Sequence, residues 1–290
     1  MTLATEQSPA IGRRRLRIEL RRAREATSLT QEQVVRELDW SLSKLIRIET
    51  GAVGVSTTDL RALLQLYGIT GPERILELTE LARASRKKSP WWGAYRDLVP
   101  EGVRKYAELE GAASVVRTFH PLLVPGPLQT RDYAQAVVSS CGPLQFTEDD
   151  IERLVEFRML RQRELFGSGT RQVTMLLGEA AVRQMVGDPD VMREQLTSLR
   201  DQTHPGLSLR VVPFSSGAHP GLSGAFTILE FPDPVDDDVL CLDAGLNDVV
   251  ERDNASLVSD YKAAFSQLDS FALDSEESSS LLSQLVDDLK

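Results

Sequence analysis

Two helix starts, at Thr30 and Ser41, constrain the fold of this chain more than any other feature. Thr30 and Gln33 have the spacing of a capping box, in which the threonine hydroxyl accepts from the amide three residues on and the glutamine reaches back to the threonine amide. The helix that follows should stop at about Asp39, because Ser41 is a good N-cap for another helix and Gly51 favours its end. The pattern predicts two short helices joined by a tight turn.

The first ninety residues contain further signals of the same kind. Leu16 and Leu20 recur at helical spacing within an arginine-rich stretch, Ser56 is an N-cap before an apolar series, and Pro72 suits a first helical position. The segment therefore predicts five short helices. Arg13, Arg14 and Arg15 precede the first apolar positions, and we weigh two interpretations for them: a solvated basic arm, or an arm that contacts phosphates.

The helix that starts after Ser41 has two chemically different faces at about 100° per residue. The arc expected to face inward carries apolar residues and one carboxylate, namely Leu42, Leu45, Ile46 and Glu49. The opposite arc carries a hydroxyl and two cations, namely Ser43, Lys44 and Arg47. A short polar and cationic helix face that follows another helix suits the major groove of DNA, where an arginine can bond guanine O6 and N7. Taken alone, such a face is more often only solvated.

The stretch from Arg24 to Gly51 resembles the Xre (Cro/cI-type) helix-turn-helix family through the following residues: Arg24, Leu29-Thr30-Gln31-Glu32, Val34, Leu38, Trp40-Ser41, Ser43-Lys44-Leu45 and Arg47-Ile48-Glu49-Thr50-Gly51. The resemblance implies that Gln31 contacts a phosphate and that Ser41, Ser43, Lys44 and Arg47 form the recognition face. It also implies a structural ion pair between Arg24 and Glu49, which fits the cost of burying an unpaired carboxylate. The chain departs from the family at Asp39, where glycine is common, and at Ile46, where a small polar residue is common.

Charge divides the chain near residue 90. The whole sequence has a formal net charge of −10, which by itself argues against a nucleic-acid partner. Residues 1–90, however, contain 16 basic and 11 acidic residues, a net charge of +5, whereas the remainder contains 17 basic and 32 acidic residues, a net charge of −15. We therefore predict a flexible arm over 1–12, a DNA-binding domain over 13–90, and an acidic effector and dimerisation domain over 91–290.

The acidic part predicts a mixture of helices and strands. Thr147 and Asp150 begin a long helix whose Arg158, Arg161 and Arg163 are expected to line a basic flank, and Asp188-Pro189 begins another. Strands are expected over 173–177, 207–214, 225–231 and 239–242, the second and third joined as a hairpin by a glycine-rich loop. The fold class is thus mainly α, with an α+β C-terminal domain built on a small antiparallel sheet.

The acidic part also resembles the C-terminal domain of unknown function found in WhiJ-like, antitoxin-like actinobacterial regulators. The matching residues are Trp91-Trp92, Glu110, Val124-Pro125-Gly126, Leu128-Gln129-Thr130, Tyr133-Ala134, Arg161-Gln162, Glu179, Met192-Arg193-Glu194-Gln195-Leu196, Pro213-Phe214, Gly217-Ala218-His219-Pro220 and Phe226. Pro127 departs from the usual leucine. The resemblance implies a transcriptional regulator, often encoded beside a small acidic partner protein, and supplies no ligand.

These observations favour a sequence-specific, DNA-binding transcriptional regulator whose C-terminal domain forms a homodimer and senses a protein or small-molecule signal. The alternative is an antitoxin-like protein that neutralises a small acidic partner and binds operator DNA for autoregulation. We expect no enzyme, cofactor or metal site, because the three histidines lack ligand spacing and nucleotide-binding motifs are missing from the sequence. No apolar run of about 18 residues is present, so the sequence does not predict a transmembrane helix. Cys141 and Cys241 are expected to stay reduced. We expect a cytoplasmic protein associated with the nucleoid.

Overall fold

The computed structural model describes residues 9–49, 53–84, 92–142, 146–167, 169–232, 237–245, 248–252 and 254–289. The chain separates into two compact units, unit 1 (Met1–Pro90) and unit 2 (Trp91–Lys290). Each unit has its own hydrophobic core.

The described residues of unit 1 form five helices, as the sequence predicts: α1 (Pro9–Ala26), α2 (Gln31–Leu38), α3 (Leu42–Glu49), α4 (Thr57–Leu66) and α5 (Pro72–Ala84). Apolar residues at helical spacing on all five helices meet in one core, which includes Leu16, Leu20, Val34, Leu45, Ile48, Leu60, Leu63, Leu64, Leu78 and Leu81. Ser56 caps α4 by accepting from the Asp59 amide at 3.0 Å. The apolar periodicity of the sequence therefore predicts this core well.

Unit 2 is an α+β domain, which confirms the predicted fold class. Its helices are α6 (Glu101–Glu110), α7 (Arg131–Cys141), α8 (Glu148–Phe166), α9 (Glu179–Arg183), α10 (Pro189–Arg200), α11 (Ala255–Phe271) and α12 (Ser275–Asp288). Its strands are β1 (Val115–His120), β2 (Gln172–Gly178), β3 (Leu207–Val212), β4 (Phe226–Glu230), β5 (Val239–Gly245) and β6 (Asp248–Arg252).

The sheet of unit 2 has the order β3-β2-β1-β4-β5-β6 and is mixed. β1, β2 and β3 are parallel, whereas β4, β5 and β6 continue from β1 in antiparallel fashion. The expectation of an antiparallel sheet therefore holds for one half only. The predicted hairpin is wrong, because β4 pairs with β1 and β3 pairs with β2. The glycine-rich loop connects two strands that are not neighbours.

The two faces of this sheet are chemically distinct because strand residues alternate. One face carries Phe119, Phe226 and Leu240, which pack against Phe265 and Leu268 of α11 in an apolar cluster. On the opposite face, Thr118 of β1 and Thr227 of β4 pair in register, and their hydroxyls lie 2.9 Å apart. Tyr106 of α6 reaches the same hydroxyl of Thr227 at 3.4 Å. This second face therefore contains buried polar side chains.

Candidate nucleic-acid interface

The start and end of α2 follow the local signals in the sequence. Thr30 donates its amide to Gln33 Oε1 at 2.8 Å, and Gln33 donates its own amide to Thr30 Oγ1 at 3.3 Å, which completes the capping box. Asp39 then adopts a left-handed conformation with φ of 54°. Trp40 donates its amide to the Val35 carbonyl at 2.8 Å, which closes the end of the helix. Aspartate thus replaces the usual glycine at the turn while keeping its left-handed backbone.

The buried side of α3 differs from the sequence prediction. Leu45, Ile48 and Glu49 are 0%, 3% and 8% exposed, whereas Leu42 is 38% exposed and Ile46 is 39% exposed. The prediction placed both Leu42 and Ile46 on the inward arc, and it is wrong for both. At about 100° per residue, the arc of Leu45, Ile48 and Glu49 is centred well away from Ile46. Ile46 instead shares the exposed face with Ser43 and Arg47, at the i, i+3 and i+4 spacing that makes helix neighbours.

The first turn of α3 presents hydroxyl groups. Ser41 Oγ accepts from the Lys44 amide at 3.3 Å, as an N-cap does, and lies 3.4 Å from Ser43 Oγ. Both serines are exposed. Ser41, Ser43 and Arg47 therefore remain accessible on one side of α3, in agreement with the side on which the sequence places them.

Lys44 is held by two neighbours within unit 1. Its Nζ lies 2.6 Å from Asp59 Oδ1 of α4 and 3.7 Å from the centroid of the Trp40 ring. The ammonium group therefore has an ion pair and a cation–π contact in this structure. The sequence does not indicate this ion pair, because Asp59 lies on another helix fifteen residues further along the chain.

Glu49 joins α3 to α1 and α2. Arg24 donates to its carboxylate through Nε at 2.6 Å and through Nη2 at 3.2 Å, and Gln31 donates through Nε2 at 2.7 Å. The bond to Glu49 raises the pKa of Arg24, so this guanidinium stays charged. Arg24 and Glu49 are the residues expected to form an ion pair. Gln31, expected on a phosphate, uses its side-chain amide for Glu49 here, while its backbone amide lies in the first turn of α2.

The arginines at 13–15 lie within α1 and do not form an arm. Arg14 is only 6% exposed, and the side chain of Arg15, 14% exposed, lies 3.5 Å from Glu77 of α5. The burial of Arg14 and the pairing of Arg15 with α5 count against phosphate contact by these two side chains, and the half-buried Arg13 is the better candidate; phosphate contact by these arginines stays a prediction. The predicted flexible arm over 1–12 is wrong for residues 9–12, which belong to α1; residues 1–8 lie outside the described part.

Glu179 and His219 of unit 2 each contact neighbouring residues of the same unit. Glu179 accepts from the Phe214 amide at 2.7 Å and from Arg183 at 2.6 Å, and the His219 ring stands on edge against Phe119 with centroids 5.8 Å apart. Within the described residues, no group of three or more histidine, cysteine, aspartate or glutamate side chains could hold a metal ion. In the same part of the chain, no helix combines the length and the apolar character needed to cross a membrane.

Comparison with known proteins agrees with this two-part organisation. A model for a helix-turn-helix domain matches residues 15–78, which span all of α2, α3 and α4. A second model, described as a domain of unknown function (DUF5753), matches residues 103–284. Neither the curated proteins nor the solved structures contain a match to the chain. Because the second model covers more than half of the 290 residues, the chain belongs to the DUF5753 family, with a helix-turn-helix domain ahead of the family domain.

Proposed function

We propose that this protein is a sequence-specific, DNA-binding transcriptional regulator of the Xre (Cro/cI-type) group. The observation that carries the proposal is the exposed face of α3, the second helix of the matched helix-turn-helix domain. Ser43, Ile46 and Arg47 lie side by side there and are all exposed. In proteins with this motif, the second helix enters the major groove and its exposed side chains contact base edges.

Each residue of this face suits a different feature of DNA. Arg47 has the planar fork that bonds guanine O6 and N7, and the hydroxyls of Ser41 and Ser43 suit a base or a phosphate. Ile46 offers methyl groups for contact with the C5-methyl of thymine, a role that becomes available because its side chain is exposed. Lys44 joins this set when DNA displaces Asp59 from its ammonium group.

The start of α2 suits the DNA backbone. Helix N-termini present amides with no partner inside the helix and favour anions, so the amide of Gln31 is directed to a phosphate. Arg13, half-buried on α1, adds a cation to the same unit. These contacts fix orientation on the duplex, and the α3 face supplies the discrimination between sequences.

Unit 2 is proposed to form a homodimer and to receive the signal that controls DNA binding. A single small module contacts few bases, and joining two of them in a dimer raises affinity through effective concentration. Regulation is favoured over the antitoxin-like alternative, because residues 91–290 have a net charge of −15 and a small acidic partner would have the same sign. We propose a cytoplasmic protein that associates with the nucleoid through its operators.

The test uses a preferred site selected from random duplexes and its scrambled counterpart, measured by fluorescence anisotropy with the full chain. Arg47→Ala should reduce discrimination between the two duplexes by about 1–3 kcal/mol, because it removes a base contact. Arg83→Ala is the matched control, since Arg83 is an exposed arginine on α5 that pairs with Glu80 at 2.6 Å; it should leave discrimination unchanged. Equal affinity of the wild type for both duplexes, or equal effects of the two variants, would contradict the proposal.

A further inference from the structure

Unit 2 contains a cavity of about 470 Å³. It lies against the polar face of the sheet, at Thr227 and Cys241, and is bounded by α6, α8 and the segment 123–129. This volume falls in the range of small-molecule sites, which are usually apolar with a few convergent polar groups. Most of the wall is apolar and includes Leu98, Val103, Val138, Phe146, Leu154 and Phe157.

Two arginines of α8 enter this cavity at one corner. Arg158 and Arg161 are three residues apart, so their side chains leave the same face of the helix. Both Nη1 atoms lie 3.5 Å from the position that a Cβ on Gly126 would occupy. The guanidinium groups therefore converge on a point where the backbone carries no side chain. The sequence predicted a basic flank on α8, and the structure turns two of its cations inward.

Both guanidinium groups are held in place by neighbouring side chains. Arg161 donates to the Glu110 carboxylate through Nε at 2.6 Å and through Nη2 at 2.8 Å, and its carbon Cζ lies 4.5 Å from the centroid of the Tyr106 ring. Its Nη1, the atom near Gly126, takes no part in these two bonds. Arg158 Nη1 donates to Gln129 Oε1 at 3.2 Å. The corner is thus preorganised, which reduces the entropy lost when a ligand binds.

The charges around the corner favour an anion. Glu110 is 1% exposed and is bonded to Arg161, and the exposed Asp243 at the cavity wall is close enough for its charge to act on Arg158. Burial and the nearby Arg161 lower the pKa of Arg158 to about 10, which leaves it charged at neutral pH. Glu110 offsets the charge of Arg161 by direct bonding, whereas the Arg158 guanidinium donates to a neutral amide, that of Gln129. A carboxylate meets the fork of a guanidinium with two parallel hydrogen bonds.

We propose that this cavity binds a small amphipathic carboxylate, with its acid group at the corner formed by Arg158, Arg161 and Gly126 and its apolar body among the aliphatic and aromatic side chains. The proposal names the ligand class for the signal that unit 2 is proposed to receive, and so it rests on that part of the proposed function.

The test is isothermal titration of the full chain, without DNA, with decanoate and with the neutral decan-1-ol as probes. The wild type should bind decanoate roughly tenfold more tightly than the alcohol, and Arg158→Gln should remove that preference. Gly126→Ala keeps both arginines but places a methyl group against them, so it should weaken decanoate alone. Arg131→Gln, which changes an exposed arginine paired with Glu152, is the control and should bind as the wild type does.

Three results would overturn the proposal: no decanoate binding by the wild type, equal affinity for acid and alcohol, or equal affinities of the Gly126→Ala and Arg131→Gln variants. If Arg158→Gln fails to fold, as circular dichroism would show, Gly126→Ala decides the question. Operator affinity with and without decanoate is a separate measurement. If decanoate binds but does not change operator affinity, the binding site is supported and its role as a sensor is refuted. If decanoate binds but the protein does not recognise an operator, only the DNA-binding function is refuted.

Discussion

Glu49→Gln tests whether the carboxylate of α3 organises the DNA-binding unit. Glu49 accepts from Arg24 and Gln31 at 2.6 and 2.7 Å, and its side chain and that of Arg24 are only 5% and 12% exposed. Glutamine keeps the shape but removes the charge, and it turns an amide donor toward groups that are themselves donors. Removing one partner of a buried pair costs about 3–5 kcal/mol. Arg24 also donates to the Leu29 carbonyl at 3.0 Å, and this bond remains in the variant. We therefore expect the free energy of unfolding to fall by an amount near the lower end of that range, about 3 kcal/mol.

Native-state hydrogen exchange of the full chain, followed by mass spectrometry, measures this loss directly. Peptides from α1 to α3 should exchange roughly 100–200-fold faster in the Glu49→Gln variant, which is about 3 kcal/mol of opening free energy. Peptides from unit 2 serve as an internal reference. Glu80→Gln is the matched control, because Glu80 pairs with Arg83 at 2.6 Å with both side chains more than half exposed; its effect should stay below about 1 kcal/mol.

The reasoning is refuted if the two variants change exchange by similar amounts. A double-mutant cycle with Arg24→Gln adds a second criterion, since residues in one buried network should show a coupling energy of about 0.5–3 kcal/mol. Additive effects of the two substitutions would mean that the contact seen between them does not stabilise the unit.

Three further predictions follow from single contacts. Asp59→Asn should strengthen DNA binding in anisotropy titrations at low salt, because it releases the lysine of α3 and removes a negative charge. Gly221→Ala should lower the free energy of unfolding by about 1–3 kcal/mol in urea titrations, since its Cβ would lie 2.2 Å from the buried ring of Phe119, whereas Gly93→Ala, with open space around it, should not. Burial lowers the pKa of His120 to about 4, so the unfolded chain takes up this proton first. Stability should fall as the pH drops below about 6.5 toward 4, and His120→Gln should reduce that fall in urea titrations at pH 7 and 5.

The fold of unit 1 could be predicted because its determinants are local. A capping box at Thr30, an N-cap at Ser56 and apolar residues at helical spacing each act within one turn of helix, so they can be recognised without knowledge of the tertiary structure. The error at Ile46 has a different origin. An eight-residue helix contains too few apolar positions to fix the direction of its buried arc, and packing on the other helices selected Ile48 instead.

The sheet of unit 2 shows where local signals end. β1 was not predicted, because it contains Arg117 and Thr118 between its apolar residues, yet Thr118 is 2% exposed and is satisfied by Thr227 from a strand more than a hundred residues away. Parallel pairing of β1 with β2 is equally remote in sequence. The inward direction of Arg158 and Arg161 also depends on such distant partners. The carboxylate that binds Arg161 lies on another helix, so the sequence alone predicts only a basic flank on α8.

Several arginines of unit 2 have partners within that unit, which bears on how an acidic chain is proposed to bind DNA through unit 1 alone. Arg161 is bonded to Glu110, Arg117 to Glu230 and Arg153 to Asp97, so these cations are neutralised by carboxylates of the same unit. Arg171 donates to backbone carbonyls, including that of Leu165 at 2.7 Å. These carboxylates and carbonyls compete with phosphates for the cations of unit 2, and the net charge of −15 over residues 91–290 repels the duplex. The proposed contact with DNA therefore falls on unit 1, whose Arg47 side chain is exposed.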